Sequence, residues 1–549
     1  MKTSGGASDG IGRGNARAPR PEPEPAPYGS DFLQLDAADA PVGGKSDWLT
    51  ERLRQAIADG RLPVGSRLPP TRVLAAELRV SRGVVTEAYQ RLTEDGHVEG
   101  RRRAGTVVVA APLTASLAAS LTASPAACPV PAPAGSPAAR PAEPARSAAA
   151  PGAHPVTPPL FPATPAPDVF DALRAAPARI DLTPGLPDLA AFPRTAWLQA
   201  ERAVLSDLSA ADLGYGDPRG APRLRSAVAD WLARSRGIRV TPDEVLVVAG
   251  TAQALTLLHP VLRADGVESV AVEDPGSLGT RQHLVNGGLA TPPVPVDQDG
   301  VRVDALHATG ARAVLLTPAH QFPTGVVTSG ERRRELLRWA AGAGDGGRAG
   351  SQSGGRLIIE DDYDAEHRYD RPPVPALRAL LADRVCYLGS ISKLLAPALR
   401  IGWMVPPPHY RDALAGAKRF TDLGNAVLPQ LVLARLMASG ELERHLRMLR
   451  GRHRRRRDAM AAAIAEHLPG AVTHGAAAGL HLTVTYPALD VPDTELAAAA
   501  LARGVKCQPL SWHRQVPGRP GLVLGYAATP PGAVAEGVAA LGEALRALS

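Results

Sequence analysis

Cysteine is scarce in this chain. Cys128, Cys386 and Cys507 are scattered over 549 positions, too few for a disulfide framework. No apolar run approaches the length of a membrane span, and the polar N-terminus has no signal-peptide core. The expected location is therefore cytoplasmic, with no membrane partner. Histidine and cysteine do not interleave at ligand spacing with the acidic run at Glu360–Asp362, so no metal is expected there. Excess charge is also modest, at +7 overall. Between Lys45 and Ala110, twelve Lys/Arg stand against eight Asp/Glu, so +4 of the excess lies in that short segment. Such a segment suits nucleic acid, although charge alone does not identify a DNA binder. Proline and glycine are plentiful, 54 of each, which in a chain long enough for two or three domains points to linkers.

The chemistry gathers around RVCYLGSISKLLAPALRIG at 384–402. Val385–Leu388 reads as a buried strand that breaks at Gly389 into Ser390, Ile391, Ser392 and Lys393, with Arg400 seven residues on. A lysine amine beside two hydroxyls and a guanidinium suits a Schiff-base cofactor that carries a phosphate. The same spacing also fits a surface lysine beside an N-cap serine. Two other stretches decide between these. RLIIEDDY at 356–363 runs an apolar strand into carboxylates at the strand end where open α/β sheets bind ligands. An aspartate there suits the pyridine nitrogen of pyridoxal phosphate, and Tyr363 its phenolic oxygen. VLVVAGTAQ at 245–253 is a strand, a glycine turn and a helix start, whose free amides suit a phosphate.

Residues 180–549 resemble a fold type I aminotransferase, a pyridoxal phosphate family. EDPG at 273–276, TPAHQFPTG at 317–325, IIEDDYDAEHRYD at 358–370 and LGSISKLLAPALRIG at 388–402 are similar, more narrowly, to MocR/GabR-type regulators. Those proteins join a GntR-type winged helix to an aminotransferase-like domain. The resemblance makes Lys393 the imine-forming lysine, Asp361 the partner of the pyridine nitrogen with Asp362 as rival, and Tyr363 the partner of the ring oxygen. Ser390, Ser392, Arg400 and the backbone at Thr251 and Ala252 would hold the phosphate. Phe322 stands where the pattern has asparagine, and Gln321 or His320 is expected to take that role. Ser277 stands where an aromatic residue stacks on the ring. The arginine that clamps a substrate carboxylate falls on Val523, with Arg503, Lys506, Arg514 or His481 as substitutes. These losses favour sensing over turnover.

The N-terminal part reads helix, helix, tight turn, helix, hairpin, the layout of a winged helix-turn-helix. Apolar spacing predicts helices over about 46–59, from an N-cap at Thr71 through Leu78, and over 82–95. LPPTRVLAAEL and VSRGVVTEAYQRL match the GntR-type pattern. That resemblance sends the Arg82 helix into the major groove, with Arg82 reading bases and Ser81 and Thr86 touching phosphate or base. Arg72, Arg101, Arg102 and Arg103 suit the phosphate backbone.

The expected organisation is thus a disordered tail over 1–42, a winged helix over 43–110 and an Ala/Pro-rich linker over 111–168. An aminotransferase-like domain follows over 169–549, with a large part at about 205–425 and a small α+β part at about 426–549. VLVVAG, SVAVED, AVLLTP, LIIEDD and VCYLGS are the expected strands of a mostly parallel sheet. RGRHRRRRD at 450–458 is expected to be a solvated helix face. The favoured function is a pyridoxal phosphate-dependent transcriptional regulator. It would be a homodimer on duplex DNA with two half-sites, responding to the cofactor, an amine or an amino acid. The alternatives are a true aminotransferase with an accessory DNA-binding module and a cofactor-free scaffold.

Overall fold

The computed structural model describes residues 40–41, 44–58, 62, 65–94, 97–101, 105–108, 160–342, 355–369, 375–476, 478–486 and 491–548. The chain divides into two units, within Met1–Ala127 and within Cys128–Ser549. The expected tail up to residue 39, the linker at 111–159, and Arg102 and Arg103 lie outside the described residues.

The first unit holds α1 (Lys45–Ala58), α2 (Thr71–Glu77), α3 (Arg82–Glu94), β1 (Val98–Arg101) and β2 (Gly105–Val108). The apolar stripes predicted from spacing meet in one core: Leu49, Leu53 and Ile57 of α1, Leu74 of α2, and Val85, Ala88, Tyr89 and Leu92 of α3. The strands pair antiparallel, Val98 opposite Val108 and Arg101 opposite Gly105. The expected cap is corrected by one residue. Pro70 occupies the N-cap position of α2 and Thr71 is its first helical residue. Proline needs no N–H at the mouth of a helix, where amides are unpaired in any case.

In the second unit an eight-stranded sheet has the order β4-β11-β10-β9-β8-β5-β6-β7. Its strands are β4 (Leu246–Val248), β5 (Val270–Asp274), β6 (Pro293–Asp297), β7 (Gly300–Val301), β8 (Ala313–Leu316), β9 (Leu357–Asp362), β10 (Val385–Ser390) and β11 (Gly402–Val405). The five expected strands are β4, β5, β8, β9 and β10. The neighbours β10/β9, β9/β8, β8/β5 and β5/β6 are parallel, while β11 runs antiparallel between β10 and β4. Helices bury both faces of this sheet, which is why β9 and β10 read as nearly continuous apolar runs.

A second core surrounds a four-stranded sheet, β12 (Val472–His474), β13 (His481–Thr485), β16 (Gly521–Gly525) and β15 (Gln508–Pro509), in that order. Beside it β3 (Ile180–Asp181) pairs in parallel with β14 (Val505–Lys506). Two expectations change here. The stretch 160–168 is packed and not linker: Phe161 stacks on Trp512 at 5.7 Å, and the Trp512 indole donates to the Pro162 carbonyl at 3.0 Å. The small part also begins later than 426 and includes an N-terminal arm. Leu442, Leu446 and Leu449 of the Glu441–His467 helix bury in the large core, whereas Met460 and Ile464 of the same helix join Ile180 and Leu182 in the small one. The arginine run on this helix is only partly solvated, because Arg452 and Arg456 are buried against Asp188 at 2.8 and 2.9 Å. Among the described residues no helix is long and apolar enough to cross a membrane.

Candidate functional site

In the first unit, α3 opens at Ser81, whose Oγ accepts from the Val84 amide at 3.4 Å. Arg79 makes the turn before it in the left-handed region, at φ 51°. Ser81, Arg82 and Thr86 are exposed at that end of α3, and Arg72 is exposed in the first turn of α2. Arg101 closes β1, and its side chain lies outside what is described.

In the second unit the C-terminal ends of β4, β9 and β10 converge on a cavity of about 650 Å³. Lys393 projects into it from the turn after β10, and its Nζ donates to the Gly185 carbonyl. Burial pushes this amine below the ordinary lysine range, while Asp364 and Asp361 pull it back up. Asp361, the fifth residue of β9, lines the same cavity and accepts from the Thr251 hydroxyl at 3.1 Å. Burial raises its carboxyl to about 7.

The period-two alternation of a strand decides between the two aspartates. Asp362 points to the other face of β9, where it pairs with Arg236 at 2.5 Å and accepts from the Tyr387 hydroxyl at 2.7 Å. It does not reach the cavity. Tyr363 does, with its hydroxyl donating to the His320 carbonyl at 3.0 Å.

Ser390, Ser392 and Arg400 meet where the helix Thr251–Ala264 begins. The Ser390 and Ser392 hydroxyls lie 2.8 Å apart. Gly250 holds φ 89°, and a Cβ there would sit 3.8–3.9 Å from Arg400 Nη1, Ser390 Oγ and Ser392 Oγ. The glycine therefore leaves open a cradle of two hydroxyls, one guanidinium and the first amides of a helix, the donor set that suits a phosphate. Thr251 and Ala252 line it.

Gln321 is the misplaced expectation. It is fully buried and does not line the cavity. Its Nε2 donates to the carbonyls of Pro275 and Phe322 at 2.8 and 2.6 Å, and its Oε1 accepts from the Thr324 amide at 3.0 Å. The side chain fixes a turn and is not left over for a ligand. His320 is engaged on one side, Nδ1 lying 2.8 Å from Asp364 Oδ2 while the buried Nε2 has no hydrogen-bond partner, and it does not line the cavity. Phe322 itself lines the cavity, between His481 and His513 with ring centroids 5.0 Å from each.

Of the four candidates for a substrate clamp, only His481 lines the cavity. Burial lowers its imidazole to about 3, and Nε2 lies 3.0 Å from the Pro323 carbonyl, so it is a neutral ring. Lys506 pairs with Asp181 at 3.0 Å, and Arg503 donates to the Ala499 carbonyl at 3.1 Å. Sequence reasoning missed Thr183, Gly185, Gln508 and His513, all cavity-lining. These come from the N-terminal arm and the small part, brought to the site only by tertiary folding. No local motif marks them. Ser277 also lines the cavity, its Oγ capping the Leu278–Asn286 helix through the Thr280 amide at 3.3 Å.

An amine, a carboxylate and a phosphate cradle around one cavity fit an aromatic aldehyde that carries a phosphate, the chemistry of pyridoxal 5'-phosphate.

Residues 45–108 match the family described as bacterial regulatory proteins, gntR family, and residues 179–520 match aminotransferase class I and II. The probable rhizopine catabolism regulatory protein MocR of Rhizobium meliloti is 32% identical over 526 residues, covering 94% of this chain and 96% of that one. The HTH-type pyridoxine biosynthesis transcriptional regulator PdxR of Corynebacterium glutamicum is 29% identical, covering 87% and 91%. Among solved structures, Pyrococcus horikoshii kynurenine aminotransferase in complex with PMP matches with TM-score 0.61 and 28% identity, over 69% of this chain and 93% of that one. The alpha-aminoadipate aminotransferase LysN from Thermus thermophilus, complexed with N-(5'-phosphopyridoxyl)-L-leucine, matches with TM-score 0.59 and 28% identity, over 69% and 94%.

Proposed function

The chain belongs to the MocR-type transcriptional regulators, which join a gntR-family DNA-binding head to an aminotransferase class I and II domain, and we propose that its second unit captures pyridoxal 5'-phosphate at Lys393 to control the head. The observation that carries the reading is the meeting of Lys393, Asp361 and the Ser390–Ser392–Arg400 cradle in one cavity. When bound, the cofactor supplies an aldehyde for an amine to condense with and a ring that acts as an electron sink. Lys393 offers the amine, and its lowered proton affinity leaves more of it free to act as a nucleophile near neutral pH. Asp361, seated by Thr251, would hold a proton at the ring nitrogen, Tyr363 would serve the ring oxygen, and Ser390, Ser392, Arg400 and the amides at Thr251 and Ala252 would hold the phosphate.

Val523 is buried in β16 and carries no charge, and among the described residues the one lining cation besides Lys393 and Arg400 is Arg174, which is exposed and paired with Asp171, so an amino acid that enters is poorly oriented for turnover. This supports sensing, with the cofactor, an amine or an amino acid as effector, over a true aminotransferase. The effector controls the head only if it binds two arrangements of the protein unequally. A second copy of the chain fits the exposed apolar residues Leu198, Leu213, Tyr215, Phe420 and Leu423, and a dimer presents two α3 helices to two half-sites. Arg82 at the start of α3 reads bases, and Ser81, Thr86, Arg72 and the wing arginines Arg101–Arg103 contact the duplex. A duplex-DNA partner supports a cytoplasmic location.

The relatives are named for rhizopine catabolism and for pyridoxine biosynthesis. A gel shift on the protein's own promoter region, titrated with pyridoxal phosphate and then with amines, tests the reading and separates those roles. Salt-sensitive, sequence-selective binding that changes with one of these ligands is expected. Its absence with and without cofactor would overturn the proposal.

A further inference from the structure

The far edge of the large sheet carries a feature that cofactor binding does not use. Arg312, Arg356 and Arg384 each stand immediately before a strand, β8, β9 and β10 respectively. These three strands are adjacent and parallel, with Ala313 opposite Leu357 and Ile358 opposite Val385. Neighbouring strands lie about 4.8 Å apart, so the register sets three guanidinium-bearing residues side by side at the N-terminal edge. The Leu357 amide donates to the Arg312 carbonyl at 2.8 Å and the Ile358 amide to the Arg384 carbonyl at 2.9 Å, which fixes the row.

All three arginines and His307 line a cleft of about 230 Å³, and no carboxylate side chain lines it among the described residues. The arginines are half-buried. Arg312 is steadied from one side, with Nη1 donating to the Asp265 carbonyl at 3.2 Å and Nη2 lying 3.5 Å from the Asp265 carboxylate. Its buried Nε has no hydrogen-bond partner. The Arg356 guanidinium lies over the Trp339 ring, 5.5 Å from its centroid, and Nη1 donates to the Trp339 carbonyl at 3.1 Å. Arg384 lies so close over Gly355 that a Cβ there would meet Nη1 at 1.5 Å. The aromatic ring thus steadies the Arg356 guanidinium and the bare backbone at Gly355 leaves room for that of Arg384, although like charges at this spacing repel one another.

We propose that this cleft is a binding site for a small phosphate-type oxyanion, either inorganic phosphate or a short phosphate monoester. Planar forks held by packing suit the oxygens of a tetrahedral anion, and the compact volume lies below the roughly 300 Å³ at which pockets for drug-sized ligands begin. The site lies at the opposite end of β8, β9 and β10 from Lys393, so it is separate from the cofactor's phosphate cradle.

The test uses the full-length protein, loaded with pyridoxal phosphate and reduced with borohydride so that the cradle is filled. Melting temperature is followed against inorganic phosphate, and separately against glycerol phosphate, at constant ionic strength made up with chloride. The parent is expected to show a saturable rise in one or both series, and the stronger series identifies the source of the phosphate. Arg384→Gln and Arg356→Gln are expected to weaken the apparent affinity by about tenfold or more each, because each removes a charged fork. Arg334→Gln, which removes an exposed cation on the Gly330–Ala341 helix, is expected to leave it unchanged. Should the glutamine variants fold poorly, Arg384→Lys keeps the charge without the fork and is still expected to weaken binding. A parent that shows no saturable rise in either series, or arginine variants that respond like the parent, would overturn the site.

Discussion

The two walls of the large cavity differ in what they offer. The wall proposed for the cofactor carries groups that suit a phosphorylated aldehyde: Lys393, Asp361, Tyr363, two serines, Arg400 and the helix start opened by Gly250. The opposite wall, where a substrate would be oriented, has a serine at 277, a phenylalanine at 322 and two neutral histidines. Burial lowers both His481 and His513 to about 3; Asp364 pulls His481 back only in part, and at His513 the Arg281 charge adds to the cost of burial. Binding without orientation is what a sensor needs. An enzyme of this fold needs both walls, because productive geometry accounts for a large part of its rate.

Removing the cofactor wall's amine is expected to have the largest effect. Lys393→Ala should abolish the absorbance band near the visible edge and all borohydride labelling. The cradle should still hold the cofactor loosely, so that dialysis removes it. Labelling that persists in this variant would assign the capture to another amine and break the comparison.

The next effect in size separates the two faces of β9. Asp362→Ala removes the carboxylate that pairs with the buried Arg236 and accepts from the Tyr387 hydroxyl, and should cost about 3–5 kcal/mol of stability, read from denaturant unfolding. Asp361→Asn should leave stability nearly intact and weaken cofactor retention, read by dialysis of the loaded protein. If the two variants exchanged phenotypes, Asp362 would be the cofactor's partner after all.

On the opposite wall, acid is the probe. His513 Nδ1 lies 3.4 Å from the Leu278 amide and Nε2 lies 3.1 Å from Gln508 Oε1, so both nitrogens are engaged with the ring neutral. The folded ring stays neutral down to about 3, whereas an unfolded histidine takes up its proton near 6.5. The unfolded state therefore binds more protons between those values. This contribution to stability is complete above about 6.5 and declines as the pH falls toward 3. His513→Asn should lose less stability than the parent between pH 7 and pH 5 in chemical unfolding. An equal or steeper loss would mean that the ring is charged in the folded protein and that this wall carries a cation.

The cofactor wall was legible in the sequence because its groups sit within a few residues of strand ends, where apolar runs stop. The alternation that separates Asp361 from Asp362 is also local, but it needs to be known which face of β9 is covered by the Thr251 helix. Gln321 shows the limit: a glutamine beside a motif can be wholly engaged by its own turn, and spacing does not reveal this. The basic stretch at 450–458 is only partly a solvated face for a related reason. Its partner Asp188 lies far away in sequence, in a loop whose Gly185 carbonyl receives Lys393. Gly185, Thr183 and His513 reach the cavity through long-range packing of the arm and the small part, so no periodicity could have indicated them.

The smallest effect tests whether the depleted wall can be rebuilt. The family resemblance sets Ser277 where an aromatic residue would stack on the ring, and a narrow void bounded by Val272, Glu273, Thr317 and Phe322 lies beside it. Ser277→Tyr should add about 0.5–1.5 kcal/mol of aromatic contact to the bound cofactor, up to about tenfold in affinity. The same change removes the hydroxyl that caps the Leu278–Asn286 helix, which costs about 1 kcal/mol of stability. The two effects have opposite signs and separate readouts: the cofactor-free protein should melt earlier, while the rise in melting temperature on adding cofactor should grow. A variant that melts earlier with no gain in cofactor-dependent stabilisation would show that position 277 does not face the ring. The weakness of the opposite wall would then rest on Phe322, the neutral histidines and the missing clamp alone.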